Sequence, residues 1–168
     1  YAVQAGAGVA VVLLAALVTG VACGAFNGWL VTHWKLPSIV VTIGTLSLYR
    51  GLAQVLLGDQ ALTGYPKALV MLGNGTLGDY FHLPELIVPI ELTVVLIMSV
   101  AVGLFLHATV HGRRIYAIGA NAVAARFSGM SVDRYRWGLF IFAGVMAALA
   151  AVLLTGRIGS TRPNLAMG

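Results

Sequence analysis

Charged residues are scarce in this chain of 168 residues: ten lysines and arginines and five acidic residues make up 9% of it, where a soluble domain carries about a quarter. Against 60% hydrophobic residues, so few charges leave too little polar surface to cover a water-exposed exterior, and the composition points to a lipid-facing protein. A single cysteine, Cys23, excludes a disulfide scaffold and a zinc ribbon. The apolar content excludes a disordered chain. The basic excess, a net charge of +5, is scattered between apolar runs rather than gathered on one face, which argues against nucleic acid as a partner. Motifs of catalysis are missing as well: there is no G-x-x-x-x-G-K-[ST] phosphate loop, no H-E-x-x-H and no G-x-S-x-G elbow. No basic region precedes the first apolar run, which is therefore expected to be a span rather than a signal peptide. Gly20-Val21-Ala22-Cys23 lacks the leucine and charged leader of a lipoprotein site and is read as part of that span.

Long apolar runs are what the chain has in abundance. A spanning helix needs about 20 mostly apolar residues, and four stretches qualify: about Val9 to Val31, Ile39 to Leu57, Ile87 to Thr109 and Trp137 to Leu154. The first and last carry no charge, the second carries Arg50, and the third carries Glu91 near its start. The short connection Thr32 to Ser38 places Pro37 where a helix can begin. Gly58 to Leu86 is rich in turn signals (Gly58-Asp59, Gly64-Tyr65-Pro66, Asn74-Gly75, Gly78-Asp79), and its apolar patch Ala68 to Leu72 predicts a short surface helix. Val110 to Arg136 is polar and basic. Four spans put Lys35, Arg113, Arg114, Arg126, Arg134 and Arg136 on one side. Lys67, Arg157 and Arg162 fall on the other, with Asp59, Asp79, Glu85 and Glu91. Basic residues gather on the cytoplasmic side of membrane proteins, so the first side is expected to be cytoplasmic and both chain ends outside. That placement of the ends suggests a piece of a longer membrane protein.

Small residues recur every fourth position in the first span, at Ala16, Gly20, Gly24 and Gly28, and in the last at Ala143, Ala147 and Ala151. Such stripes let helix backbones approach closely, and both are expected to pack in a tight multi-helix bundle. His107 and His111 share a helical spacing, but with no third ligand nearby they read as polar rings at the membrane surface rather than a metal site. Trp29, Trp34 and Trp137 sit at expected interfaces, where indole rings favour headgroup depth. Arg50 stands apart. An ionisable side chain within a span faces the interior or water and is a functional candidate; a structural clamp to carbonyls, or snorkelling, explains it equally well.

The segment Gly112 to Gly129 carries the most information. Asn121 is a good N-cap, Ala122 to Ser128 are mostly helix formers, and Gly129 is a natural terminator. A two-turn helix between two spans is unstable alone and needs a partner surface. That surface is either its own bundle or a cytoplasmic protein.

At these residues the chain resembles a family. The pattern G-R-x-x-Y-A-x-G-x-N-x-x-A-A-R-x-S-G-x-x-V, from Gly112 to Val132, is similar to the coupling-helix region of bacterial ABC-type sugar permeases, the ribose, xylose, rhamnose and autoinducer-2 type importers. Gly24 to Val31, Leu36 to Thr45, Arg50-Gly51, Arg157 to Ser160 and Pro163-Asn164 resemble further family blocks, in the same order. Ile39 stands where the family usually has Phe, Ala122-Val123 replaces an acidic or polar pair, and Ala166 replaces a common Gly. The resemblance implies an all-α polytopic transmembrane helical bundle with a cytoplasmic coupling helix, of which this chain is a central part. It implies an inner-membrane permease subunit, without an ATPase site of its own, importing a monosaccharide or sugar-like solute. Its implied partners are cytoplasmic ABC ATPase subunits, a second permease subunit, a periplasmic sugar-binding protein and the lipid bilayer. No cofactor is expected on this chain, ATP and Mg belonging to the ATPase. Gly119, Asn121, Ala124, Ala125, Arg126, Ser128 and Gly129 are implied to couple to the ATPase. Asn27, Thr42, Thr45 and Arg50 are assigned to the translocation path or bundle interior, and Gly20, Gly24 and Gly28 to helix packing. The rival is an ion-coupled secondary transporter or channel, which would require buried carboxylates or broken helices that these spans scarcely offer.

Overall fold

The structure, a computed structural model, describes residues 9–58, 62–63, 67–76 and 88–161. Among them the helices are α1 (Val9–His33), α2 (Ser38–Leu57), α3 (Lys67–Asn74), α4 (Ile90–Ala108), α5 (Val110–Ala120), α6 (Ala122–Phe127) and α7 (Val132–Ile158). Two two-residue strands, β1 (Leu62–Thr63) and β2 (Ser160–Thr161), form an antiparallel pair. The fold is all-α. Four helices, α1, α2, α4 and α7, are long and apolar enough to cross a membrane. Of the turn signals, Asp59, Gly64-Tyr65-Pro66 and Gly78-Asp79 lie outside the described residues, as do Glu85, Arg162, Pro163-Asn164 and Ala166.

Prolines set two of the helix starts. Pro37 (φ −57°) and Pro89 (φ −61°) sit immediately before α2 and α4, where the ring fixes φ and no amide donor is wasted. α7 differs from expectation at both ends, beginning at Val132 rather than Trp137 and ending at Ile158 rather than Leu154. Asp133, Arg134 and Arg136 argued for a loop, but charge keeps a residue out of hydrocarbon, not out of a helix. Asp133 suits the positive first turn and Arg157 the negative last one.

The closest packing joins α1 to α7, which run antiparallel. A Cβ added to Gly20 would lie 2.7 Å from the Ala148 Cβ, one on Gly24 3.0 Å from the Ile141 Cα, and one on Gly28 2.8 Å from the Trp137 Cδ1. The indole Nε1 of Trp137 donates to the Ala25 carbonyl at 3.1 Å. The glycines of α1 thus face α7 as their spacing suggests. The matching face of α7 is not Ala143, Ala147 and Ala151, which are exposed; it is Phe140, Gly144 and Ala148, one step round the helix. Nor is tight packing general. α2 meets α1 through Tyr49, whose hydroxyl lies 3.1 Å from the Cys23 carbonyl and 3.3 Å from Asn27 Oδ1. α4 has no buried residue.

The apolar patch beginning at Ala68 forms α3, and it is docked rather than free. Leu69 is 1% exposed, and Gly73 lies against Gly156 and Arg157 of α7. Asn74 Nδ2 donates to the carbonyls of Gly156 at 3.3 Å and Arg157 at 3.1 Å, two acceptors of the last turn that lack helical partners. Arg157 pairs with Glu91 at the start of α4, 2.7 Å away. One end of the molecule therefore gathers α3, the start of α4 and the end of α7. The opposite end gathers the end of α1, α5, α6 and the start of α7.

Candidate functional site at the α5–α6 end

The site is built by two sharp turns and two caps. α4 stops at Thr109, whose extended backbone (φ −103°, ψ 157°) turns the chain. Its hydroxyl lies 2.6 Å from the Phe105 carbonyl and 3.1 Å from the Gly112 amide, which it caps. Gly112 is required here, because any Cβ would run into the Leu106 backbone. The result is α5, a helix where sequence reasoning had placed a loop. Its signal was the stripe Gly112, Ile115 and Ile118, buried or half-buried at intervals of one turn. Asn121 closes α5 and opens α6: its Oδ1 accepts from the amides of Val123 and Ala124, both at 3.0 Å. Gly129 ends the motif at φ +80°, a left-handed conformation open to glycine at little cost, while Met130 N donates back to the Ala125 carbonyl at 3.1 Å.

α6 has six residues and cannot stand alone. One face is held by its own chain. Ile118 of α5, Ala125 of α6 and Val132 of α7 form a buried cluster, with Ala122, Met130 and Tyr135 packed around it. Ala125, expected at an ATPase contact, is 3% exposed and belongs to this cluster. Arg126 was expected to meet the same partner. Its Nη2 lies 2.9 and 3.1 Å from the carboxylate oxygens of Asp133, tying α6 to the first turn of α7, while the side chain stays 55% exposed. Gly119, Ala124 and Ser128 are exposed, and Ser128 Oγ donates to the Ala124 carbonyl at 3.0 Å.

The outward face carries two residues that sequence reasoning missed. Val123 is 65% and Phe127 89% exposed. Four apart, they form an apolar pair on one side of α6, beside a shallow cavity of about 310 Å³ also lined by Ala122, Arg126 and Arg136. The signal was available: a phenylalanine between Arg126 and Ser128, in a polar segment, with a valine one turn before it.

The other candidates are dispersed. Thr42 Oγ1 donates to the Ser38 carbonyl and Thr45 Oγ1 to that of Val41, each at 2.9 Å within α2, and Thr45 is buried. Asn27 meets Tyr49, a residue not singled out from sequence. Arg50, next to Tyr49, is half-buried and has no hydrogen-bond or ion-pair partner among the described residues. His107 and His111 fall on different helices: His107 Nδ1 lies 2.9 Å from the Gly103 carbonyl, and His111 Nδ1 lies 3.1 Å from the Tyr135 hydroxyl. Among the described residues, no cluster of three or more His, Cys, Asp or Glu could hold a metal ion.

Residues 1–168 match a family described as branched-chain amino acid transport system / permease component. The chain is 41% identical over 158 residues to the autoinducer 2 import system permease protein LsrC of Yersinia enterocolitica, covering 94% of this chain and 42% of that protein. It is 42% identical over 159 residues to the protein of that name from Yersinia pestis, and equally to that from Yersinia pseudotuberculosis, each covering 94% of this chain and 43% of the relative. The chain thus spans about two fifths of the length of these curated relatives. No solved structure matches it.

Proposed function

The chain belongs to the family of branched-chain amino acid transport system permease components, and we propose that it forms part of the permease subunit of an ATP-driven importer in a bacterial inner membrane. Its solute is a monosaccharide or a related sugar-like molecule, in keeping with relatives named for autoinducer 2 import. The α5–α6 end is cytoplasmic, as the basic bias of Arg113, Arg114, Arg126, Arg134 and Arg136 indicates. A second permease subunit, a periplasmic binding protein and cytoplasmic ATPase subunits complete the assembly, and ATP with Mg is bound by the ATPase rather than by this chain.

One observation carries this reading: α6 is anchored on its own chain by one face and presents Val123 and Phe127 to solvent on the other. Exposed aromatic and aliphatic side chains at helical spacing are what a helix offers to a groove. Gly119, Asn121, Ala124, Ser128 and Gly129 shape this element, while Ala125 and Arg126 fix it to α7. ATP drives transport only if its binding favours one permease conformation, and a helix clamped to a spanning helix can carry that difference. Ion coupling through carboxylates is less well supported. In the four long helices the acidic residues are Glu91 and Asp133, each in a first turn and each paired with an arginine.

The test is copurification of the ATPase subunit with the full-length permease carrying Val123→Ser and Phe127→Ser. Both side chains are solvent-exposed, so insertion and folding should persist while ATPase association and uptake fall. Burying such a pair contributes about 1.5–3 kcal/mol per side chain, so at least a tenfold loss of affinity is expected. Unchanged association and uptake would refute the docking role.

A further inference from the structure

Between α4, α5 and α7, at the same polar end, lies a cavity of about 460 Å³ that the transport reading does not use. Its volume falls within the range of about 300–1,000 Å³ typical of ligand pockets. Its lining is sorted by depth. Ser131, just before α7, and Arg134 and Tyr135 of α7 line one end, and Gly138, Leu139 and Phe142 continue it into the apolar part of the helix. Phe142 is about 12 Å along the axis from Arg134. Val102, Phe105 and Leu106 of α4 form the facing wall.

Charge is sorted in the same direction. No acidic residue lines the cavity. Asp133, the one carboxylate between residues 110 and 136, is engaged by Arg126. The Arg134 guanidinium has no partner among the described residues. Tyr135 OH orients two neighbouring side chains, accepting from Arg114 Nη1 at 3.1 Å and lying 3.1 Å from His111 Nδ1. Beyond the mouth, where Ser131, Arg134, Tyr135 and His111 lie, a solute rich in hydroxyls would find no polar side chain along these walls. A protein segment would have to bring its own carboxylate to Arg134.

We infer that this cavity holds an anionic phospholipid, one acyl chain lying against Leu139, Phe142 and Phe105 and the phosphate held at the mouth by Arg134 and Arg114. Basic pockets between spanning helices at a membrane face recognise such headgroups, and here the apolar slot runs from that mouth toward the hydrocarbon. The inference is independent of what the protein transports.

The experiment uses the full-length permease in vesicles of phosphatidylcholine doped with phosphatidylglycerol, extracted gently and weighed by native mass spectrometry. The unmutated protein should retain phosphatidylglycerol and not phosphatidylcholine. Arg114→Gln with Arg134→Gln should cut that retention roughly thirtyfold, about fivefold for each charge removed. Gly138→Phe keeps both arginines and fills the slot, and a Cβ there meets nothing within 4 Å; it too should lose the lipid. Leu139→Trp provides a second filling variant if the first folds poorly. An unmutated protein without phosphatidylglycerol would overturn the proposal, showing the slot filled by protein. So would full retention in both filling variants, which leaves only surface charge, or displacement by excess inorganic phosphate, which marks a site for free anions.

Discussion

Gly144 on α7 offers a direct test of the α1–α7 contact. A methyl group added there would be driven into the Gly20 carbonyl oxygen and would lie 3.1 Å from the Gly24 Cα. Both are backbone atoms of α1, so no side-chain rotation relieves the clash. Non-bonded carbon atoms settle at about 3.5–4.0 Å, so the two helices must part by roughly 1 Å. That separation loosens the whole face from Gly20 to Gly28, where packing without a hydrophobic driving force depends on close approach. Overpacking of this kind costs about 1–3 kcal/mol, and with backbone on both sides we expect the upper half, about 2–3 kcal/mol. Gly138 lies on the same helix, where an added Cβ meets nothing within 4 Å. There Gly→Ala removes backbone freedom from the unfolded chain and should stabilise by up to about 1 kcal/mol. One chemical change therefore has opposite signs at two positions of one helix. Thermal unfolding of the full-length protein in detergent, followed by tryptophan fluorescence, reads both. Gly144→Ala should melt below the unmutated protein and Gly138→Ala at or above it. If Gly144→Ala melts as high as Gly138→Ala, the backbones of α1 and α7 are not in contact.

Two further outcomes concern α6. Asn121→Ala removes the acceptor for two amides and should cost about 0.5–2 kcal/mol of local stability, seen as faster amide exchange at Val123 and Ala124; Asn121→Asp should restore it, and equal exchange in all three proteins would refute the cap. Arg126→Asp places a carboxylate against Asp133, and adding Asp133→Arg should restore the pair; both partners are about half exposed, 55% and 49%, so the coupling should be only about 0.2–1 kcal/mol in a double-mutant cycle and should shrink with salt. A coupling of zero at low salt would show that the contact does not form.

The four spans were legible because a run of some twenty apolar residues has few alternatives in water or lipid. The caps of α6 were legible for a similar reason: Asn121 and Gly129 are local devices whose partners lie within a few residues. The glycine face of α1 was legible too, but the packing face of α7 was not. In α7 nearly every position from Leu139 to Leu154 is apolar, so periodicity could not distinguish Ala143, Ala147 and Ala151 from Gly144 and Ala148. The neighbour decided, because α1 brings a row of glycines against which α7 closes at Phe140, Gly144 and Ala148. α5 was missed because Gly112 and Gly119 lower helix propensity and the arginines suggest a loop, yet Thr109 supplies a cap and Ile118 a buried anchor. Arg126 shows the limit most clearly. Its spacing to Asp133 crosses a helix end, a left-handed glycine and a helix start, and no periodic rule links residues across such a turn. The pairing follows only once Gly129 has reversed the chain and the Ile118–Ala125–Val132 cluster has set α6 against α7. A basic residue that reads from sequence as a contact for a partner is then tied to its own chain as well, and the apolar side chains beside it, Val123 and Phe127, are left exposed.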